Sequence, residues 1–350
     1  MKYGIITYTS AQNWGGILQA YALNKYISDL GVDCKLINYR KFDGRWFKPR
    51  KQLKDILFTL LKYSECKERI KSYEEFREQY MGLKEPTYTS QNELRSLNRE
   101  FDAFITGSDQ LWNCETKINY DFYLDFVEDK KTKLSYGPSF GQDKIPKQFE
   151  EEVARLLKQY DVMSVREKSG QAIVERLIRK KIPVVCDPTF LLAVDQWDLV
   201  RNKMVNESNY IFIYTTQVSG KVVELVKEYQ KQYPNVRVIT PYALPGVKAE
   251  VKKNIGPAEF LSYIKNADYV IGTSFHAVVF SLIYQRNFCV VPHSNTGARV
   301  NDLLSTLELE QHLISDGFNN KFPMLTLNYY KRLNSMIDDS KKYLQDMILI

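Results

Sequence analysis

Histidine is scarce in this chain, three in 350 residues, and cysteine is hardly commoner, at five. The histidines form no H-E-x-x-H pattern. The cysteines (Cys34, Cys66, Cys114, Cys186 and Cys289) are scattered and make no C-x-x-C pair. A structural zinc site and a helix-borne transition-metal centre are both disfavoured, and unpaired thiols suit a reducing compartment. Long hydrophobic runs are missing as well, and no stretch approaches the ~20 apolar residues of a spanning helix. The first residues, MKYGIITYTS, carry one lysine, no extended apolar core and no small-residue cleavage site, so no signal peptide is expected. Neither G-x-G-x-x-G nor G-x-x-x-x-G-K-[ST] occurs, which removes support for classical dinucleotide and P-loop nucleotide binding. No fixed-period repeat or low-complexity segment is present. These absences together set the expectation of a cytoplasmic protein that works without a resident metal or cofactor.

What is there is an ordinary globular composition, 44% hydrophobic and 26% charged. The length favours two domains over one core. The net charge of +7 is spread among acidic residues. It fits attraction to anionic substrates or a membrane surface better than a nucleic-acid footprint.

The pattern along the chain is α/β. Lys2–Thr7 reads as a strand, Ile17–Leu30 as a helix with one apolar side and Val32–Tyr39 as the next strand, a βαβ opening of a doubly wound sheet. Residues 41–99 are polar, basic and mostly helical, and read as an insertion. Further strands are expected at Phe101–Thr106, Leu134–Tyr136, Asp161–Val165 and Pro183–Cys186. The segment Ala193–Asn209 reads as a joint, Tyr210–Tyr214 starts a second α/β unit and Pro241–Gly256 reads as a loop. The expected division is 1–205 for an acceptor-side domain and 206–350 for a donor-side domain, ending in a long helix over Tyr329–Ile348. The basic and apolar residues 45–61 are a candidate for peripheral contact with an anionic membrane, although a helix packed on its own protein is the preferred reading.

Polar residues cluster where strands end, which is where ligands bind in such sheets. Asn13-Trp14-Gly15-Gly16 joins a strand to a helix, and its glycines let a ligand approach the backbone; an ordinary tight turn is the plainer reading. Gly107-Ser108-Asp109-Gln110-Leu111-Trp112-Asn113 sets polar side chains beside an aromatic face, a combination that suits a sugar. Arg166 and Arg299 each precede a helix and offer the guanidinium fork that grips carboxylate or phosphate; surface ion pairs would explain them equally simply. Asp187, before a proline, reads as a turn former. Tyr269–Val291 reads as strand, turn, helix and strand, with His276 where the turn becomes the helix. There it either meets an anionic substrate at the helix end or merely packs the first turn.

Taken together, N-x-G-G-x-L-Q-A at 13–20, G-S-D-Q-x-W-N at 107–113, S-Y-G-x-S-F-G at 135–141, S-V-R-E at 164–167, D-P-T at 187–189 and T-S-F-H at 273–276 resemble the polysaccharide pyruvyltransferase family. The resemblance covers most of the chain to about Leu309. It implies two Rossmann-like domains in a GT-B-like arrangement, with an interdomain cleft. It also implies transfer of the enolpyruvyl unit of phosphoenolpyruvate to a sugar of a surface polysaccharide or its lipid-linked precursor, with formation of a pyruvate ketal and release of phosphate. Phosphoenolpyruvate would be a co-substrate, and the enzyme would work at the inner face of the membrane.

By the same resemblance His276 and Arg166 are the catalytic candidates. Arg299, Ser274 and Thr273 are assigned to the donor, and Asn13, Gly15, Gly16, Ser108, Asp109, Gln110 and Trp112 to the acceptor. Similar members often have an arginine two positions before the histidine, where this chain has Ser274, and Arg299 is the candidate substitute. Ketal formation needs a proton delivered to the methylene carbon, which His276 can supply once an anionic donor is bound. A nucleotide-sugar glycosyltransferase on the same architecture and a non-catalytic glycan-binding protein are the alternatives.

Overall fold

The computed structural model describes residues 1–10, 12–40, 53–84, 86–215, 219–292, 297–314 and 322–349. Of residues 45–61, the stretch expected to contact a membrane, those before Leu53 lie outside the described residues and the rest are described only as helix backbone. Among the described residues no helix is long and apolar enough to cross a membrane.

The first unit runs β1 (Lys2–Ile6), α1 (Trp14–Asp29), β2 (Asp33–Leu36), α2 (Leu53–Tyr80), α3 (Gln91–Arg95), β3 (Ala103–Thr106), β4 (Thr132–Ser135), α4 (Lys147–Leu157) and α5 (Lys168–Ile178). Its sheet is parallel in the order β2-β1-β3-β4. Beyond β4 the expected strands at 161–165 and 183–186 are present only as isolated parallel pairings. Leu134 pairs with Val162 and Val165 with Val184. Ser135 N–H donates to the Val162 carbonyl at 3.1 Å and Val185 N–H to the Val165 carbonyl at 2.9 Å. These two segments carry Arg166 and Asp187 at their carboxyl ends. The expected helical insertion is largely α2 and α3 as far as the described residues go.

The second unit follows a short helix, α6 (Val194–Val200), which lies in the segment read as a plain joint. It runs β5 (Tyr210–Tyr214), α7 (Gly220–Gln232), β6 (Arg237–Thr240), β7 (Glu250–Val251), α8 (Pro257–Asn266), β8 (Tyr269–Gly272), α9 (Phe275–Ile283), β9 (Asn287–Val290), α10 (Gly297–Leu307) and α11 (Tyr330–Ile348). The order is β7-β6-β5-β8-β9, all parallel. β7 falls inside the stretch read as a loop; two exposed residues carry no periodicity by which to find it. β5 and β8 are buried at every position, as central strands covered by helices on both faces must be.

An aromatic seam joins the units. Trp14 stacks on Phe260 at 4.9 Å, its indole N–H donates to the Ile255 carbonyl at 3.0 Å, and Trp197 meets Phe280 at 5.0 Å. The last helix, counted with the second unit on sequence grounds, lies against the first. Tyr3 donates to the Ile348 carbonyl at 2.7 Å, Cys186 N–H to Ser340 Oγ at 2.8 Å and Tyr343 to the Ser135 carbonyl at 3.2 Å. With the strand ends of both sheets facing one another, the loops after β1, β3, Val165, Cys186 and β8 meet between the units.

Candidate active site

Each element here ends because its next residue has another task. β8 stops at Gly272, and Ser274 takes the extended backbone of an N-cap and starts α9. His276 therefore sits in the first helical turn, 5% exposed. The extended segment ending at Cys186 stops at Asp187, whose Oδ1 accepts from Thr189 N–H at 3.0 Å and from Thr189 Oγ1 at 2.7 Å. That is the Asx turn expected of Asp-Pro. The other oxygen corrects the expectation that Asp187 is only a turn former: Oδ2 accepts from Arg166 Nη1 and lies 3.5 Å from His276 Nε2. Asp187 is the point at which Arg166 and His276 meet.

Around this point six ionisable side chains are buried or nearly so. Arg166 also donates to Ser108 Oγ at 3.3 Å. Asp109 Oδ1 lies 3.7 Å from Arg166 Nη2 and 3.7 Å from Arg299 Nη1. Phe275 supports both guanidiniums, whose central carbons stand 4.8 Å (Arg166) and 5.6 Å (Arg299) from its ring centre. Glu167 completes the set, accepting the Phe140 N–H at 3.1 Å. Among the described residues Arg166 Nε and Nη2, Arg299 Nε, His276 Nε2 and Glu167 Oε2 are buried without a hydrogen-bond partner. Buried N–H groups of guanidinium without acceptors are costly, and an anionic ligand would satisfy them.

The electrostatics point the same way. Burial alone would push the Asp187 carboxyl up, but Arg166 and His276 hold it well below the usual carboxylate range. Glu167 is pushed upward by burial, against the pull of Arg166 and Arg299. Arg299 is lowered to about 10 by burial and by repulsion from Arg166. Burial alone would lower Arg166, but Asp187, Asp109 and Glu167 raise it, so the two like charges are held together among carboxylates while several of their N–H groups stay unpaired.

Gly15 has a more specific role than a flexible turn. A Cβ on Gly15 would lie 1.9 Å from His276 Nδ1. The glycine lets the imidazole rest against the first turn of α1, across the junction of the units. At Gly16 the corresponding Cβ would lie 3.4 Å from Asp109 Oδ2, an ordinary contact. Asn13 is the N-cap of α1 and accepts the Gly16 N–H at 3.3 Å.

The structure thus brings together His276, Arg166, Arg299, Asp109, Ser108, Gly15 and Gly16. The side chains of the other candidates are engaged elsewhere. Trp112, expected to offer a face to a sugar, is 0% exposed, stacks on Tyr123 at 5.6 Å and donates its indole N–H to the Phe122 carbonyl. The hydrophobic value of burying the indole outweighs the polar company it keeps in sequence. The Gln110 side chain packs against Gly141. Thr273 pairs with Thr215 Oγ1 at 3.2 Å, and Ser274 lies by the Tyr214 phenol. Glu167 and Asp187 are the residues of the cluster absent from the sequence-based assignment. The S-V-R-E and D-P-T motifs held the only signal for them.

A sequence profile of the polysaccharide pyruvyl transferase family matches residues 13–295. This protein belongs to the polysaccharide pyruvyl transferase family. The match spans every residue of the cluster except Arg299. No curated protein matches the chain significantly in sequence. Among solved structures it is similar to the UDP-GlcNAc 2-epimerase of Methanocaldococcus jannaschii (14% identity, 97% of this chain and 93% of that one, TM-score 0.56). It is also similar to the UDP-GlcNAc 2-epimerase of Neisseria meningitidis bound to UDP-GlcNAc (10% identity, 100% of both chains, TM-score 0.55). At such identities the likeness is one of fold. It agrees with two Rossmann-like domains in a GT-B-like arrangement.

Proposed function

We propose that this transferase moves the enolpyruvyl group of phosphoenolpyruvate onto two hydroxyls of a glycan or lipid-linked saccharide, giving a pyruvate ketal and phosphate. The observation that carries the reading is the pair of buried guanidiniums, Arg166 and Arg299, with unpartnered N–H groups beside His276 and Asp187. Arg166 and Arg299 hold the donor's phosphate and carboxylate, and Arg299 takes the place of the arginine missing at Ser274. Charge-assisted, desolvated contacts of this kind fix an anion without joining the proton traffic.

His276 protonates the methylene carbon, C3, so that C2 gains oxocarbenium character. A sugar hydroxyl forms the first O–C2 bond. The C2–O bond to phosphate then breaks, and a second hydroxyl closes the ring. Of the two hydroxyl protons, one makes good the proton given to C3 and the other leaves with phosphate. Asp187 holds the imidazole toward the donor and offsets the charge it carries when protonated. No step requires a metal or a resident cofactor.

The second reading, a nucleotide-sugar transferase, draws support from the fold neighbour bound to UDP-GlcNAc. Incubation with phosphoenolpyruvate or with nucleotide sugars in the presence of glycan acceptors separates the two by the product released, phosphate or nucleotide. His276→Ala is expected to abolish phosphoenolpyruvate turnover while the melting temperature is kept; a near wild-type rate would remove His276 from the mechanism.

A further inference from the structure

Asp109 is held in an unusual way. Its φ is 83°, a region that non-glycine residues seldom adopt but aspartate and asparagine tolerate best. That backbone is pinned on both sides. Asp109 forms a parallel bridge with Pro138, its carbonyl accepts the Ser139 N–H at 2.8 Å, and its own Oδ1 accepts the Gln110 N–H at 2.8 Å. The result is a carboxylate placed between Arg166 and Arg299 but at 3.7 Å from each, too far for a good hydrogen bond to either. Among the described residues no donor bonds its Oδ2, which faces Gly16 at the head of α1.

We propose that Asp109 is a stand-in anion: it occupies the place of the donor phosphate in the free protein, and once displaced by that phosphate it takes the proton of the attacking sugar hydroxyl. The proposal rests on the phosphoenolpyruvate reading above and adds the base that reading leaves unassigned. The geometry suits both tasks. Asp187 pairs Arg166 closely, Asp109 meets both guanidiniums only at long range, and a dianion satisfies the N–H groups that these carboxylates leave unpaired. Because Oδ1 makes both long contacts and also accepts the Gln110 N–H, displacement turns the carboxylate and takes Oδ1 off all three. Oδ2 is then the free acceptor, on the side of α1, whose turn also seats His276 through Gly15.

The protons balance. As the first hydroxyl attacks C2, its proton passes to Asp109 Oδ2 while His276 gives one to C3. When the C2–O bond to phosphate breaks, Asp109 returns its proton to the departing phosphate oxygen beside it. Attack by the second hydroxyl returns a proton to His276, and both residues end as they began.

The test uses inorganic phosphate as the probe, titrated calorimetrically into the full chain, alongside phosphate release from phosphoenolpyruvate. Asp109→Asn removes the charge, and asparagine tolerates the same φ; Asp109→Gly is the second variant, since glycine adopts φ of 83° freely. The expected result is phosphate binding tightened at least about tenfold, because a like charge leaves the seat, together with turnover lowered about 10²- to 10⁴-fold through loss of the base. Phosphate binding that is unchanged or weaker in a folded variant would overturn the stand-in role. Turnover within about threefold of wild type would overturn the base role. If the wild-type protein consumes no phosphoenolpyruvate, the functional reading falls and the base step with it, while the phosphate titration still decides who holds the seat.

Discussion

Replacing Gly15 with alanine sets two well-understood effects against each other. Gly15 is inside α1, and glycine to alanine within a helix ordinarily stabilises by about 0.5–1 kcal/mol, since the unfolded chain loses freedom and helix propensity rises. Here the new methyl carbon would stand 1.9 Å from His276 Nδ1. Ordinary carbon contacts sit near 3.5 Å, so the imidazole must retreat by roughly 1.5 Å or α1 and α9 must separate. Overpacking of this kind costs about 1–3 kcal/mol, which exceeds the helix gain.

A displacement on that scale also takes the imidazole off the line to Asp187, and misplacement by about 1 Å can lower a rate about 10²-fold. The expected outcome for Gly15→Ala is a melting temperature lower by a few degrees and a kcat for phosphate release down about two orders of magnitude. Gly16→Ala, whose Cβ would make only a 3.4 Å contact with Asp109, is the control and should stay close to wild type in stability. Thermal unfolding and a phosphate-release assay read both variants. A Gly15→Ala protein that is as stable and as fast as wild type would refute the seating of His276 against α1.

Asp187→Asn leaves Arg166 buried without its closest counter-ion and is expected to cost about 3–5 kcal/mol by denaturant unfolding at neutral pH. Because the folded-state pKa of Asp187 lies below that of the unfolded chain, its contribution is present above about pH 4 and is lost as pH falls through the folded value. The variant should therefore show a flatter acid limb, and an unchanged limb would refute this. Glu167 has the opposite sign. Its carboxyl is held above the ordinary range, so it costs stability as pH rises from about 4.3 through the folded value. Glu167→Gln keeps an acceptor for Phe140 N–H, and its stability should fall less than that of wild type as pH rises above about 4.3; a steeper fall would contradict the assignment.

Much of this centre was legible from short motifs at strand ends, because the α/β pattern says where those ends gather. Arg166, Arg299, Asp109 and His276 could be singled out that way. Asp187 could not. Its two oxygens do different work, and only the turn-forming one acts within the local sequence; the other acts on residues 21 and 89 positions distant. Gly15 was noticed as a glycine, but its reason is an imidazole 261 positions along the chain. Trp112 misled because its polar neighbours suggested a surface, whereas its ring fills the core beside Tyr123 and Tyr160. The pairings at 161–165 and 183–186 were foreseen as strands, and the sheet there is reduced to isolated bridges.

The brace from α11 to the residue before Asp187 has a consequence for how the molecule is made. Ser340 is 154 positions after Cys186, whose N–H it accepts. At translation rates of about 5–20 residues per second, roughly 8–30 s separate the two on the ribosome. Arg166 and Asp187 thus emerge well before His276, Arg299 and the bracing helix. In that interval their charges are still solvated, and the non-local contacts that later enclose them bear the full cost of loop closure. Substitutions in the final helix can therefore reduce the yield of assembled centre during synthesis, even though α11 supplies none of its charged groups.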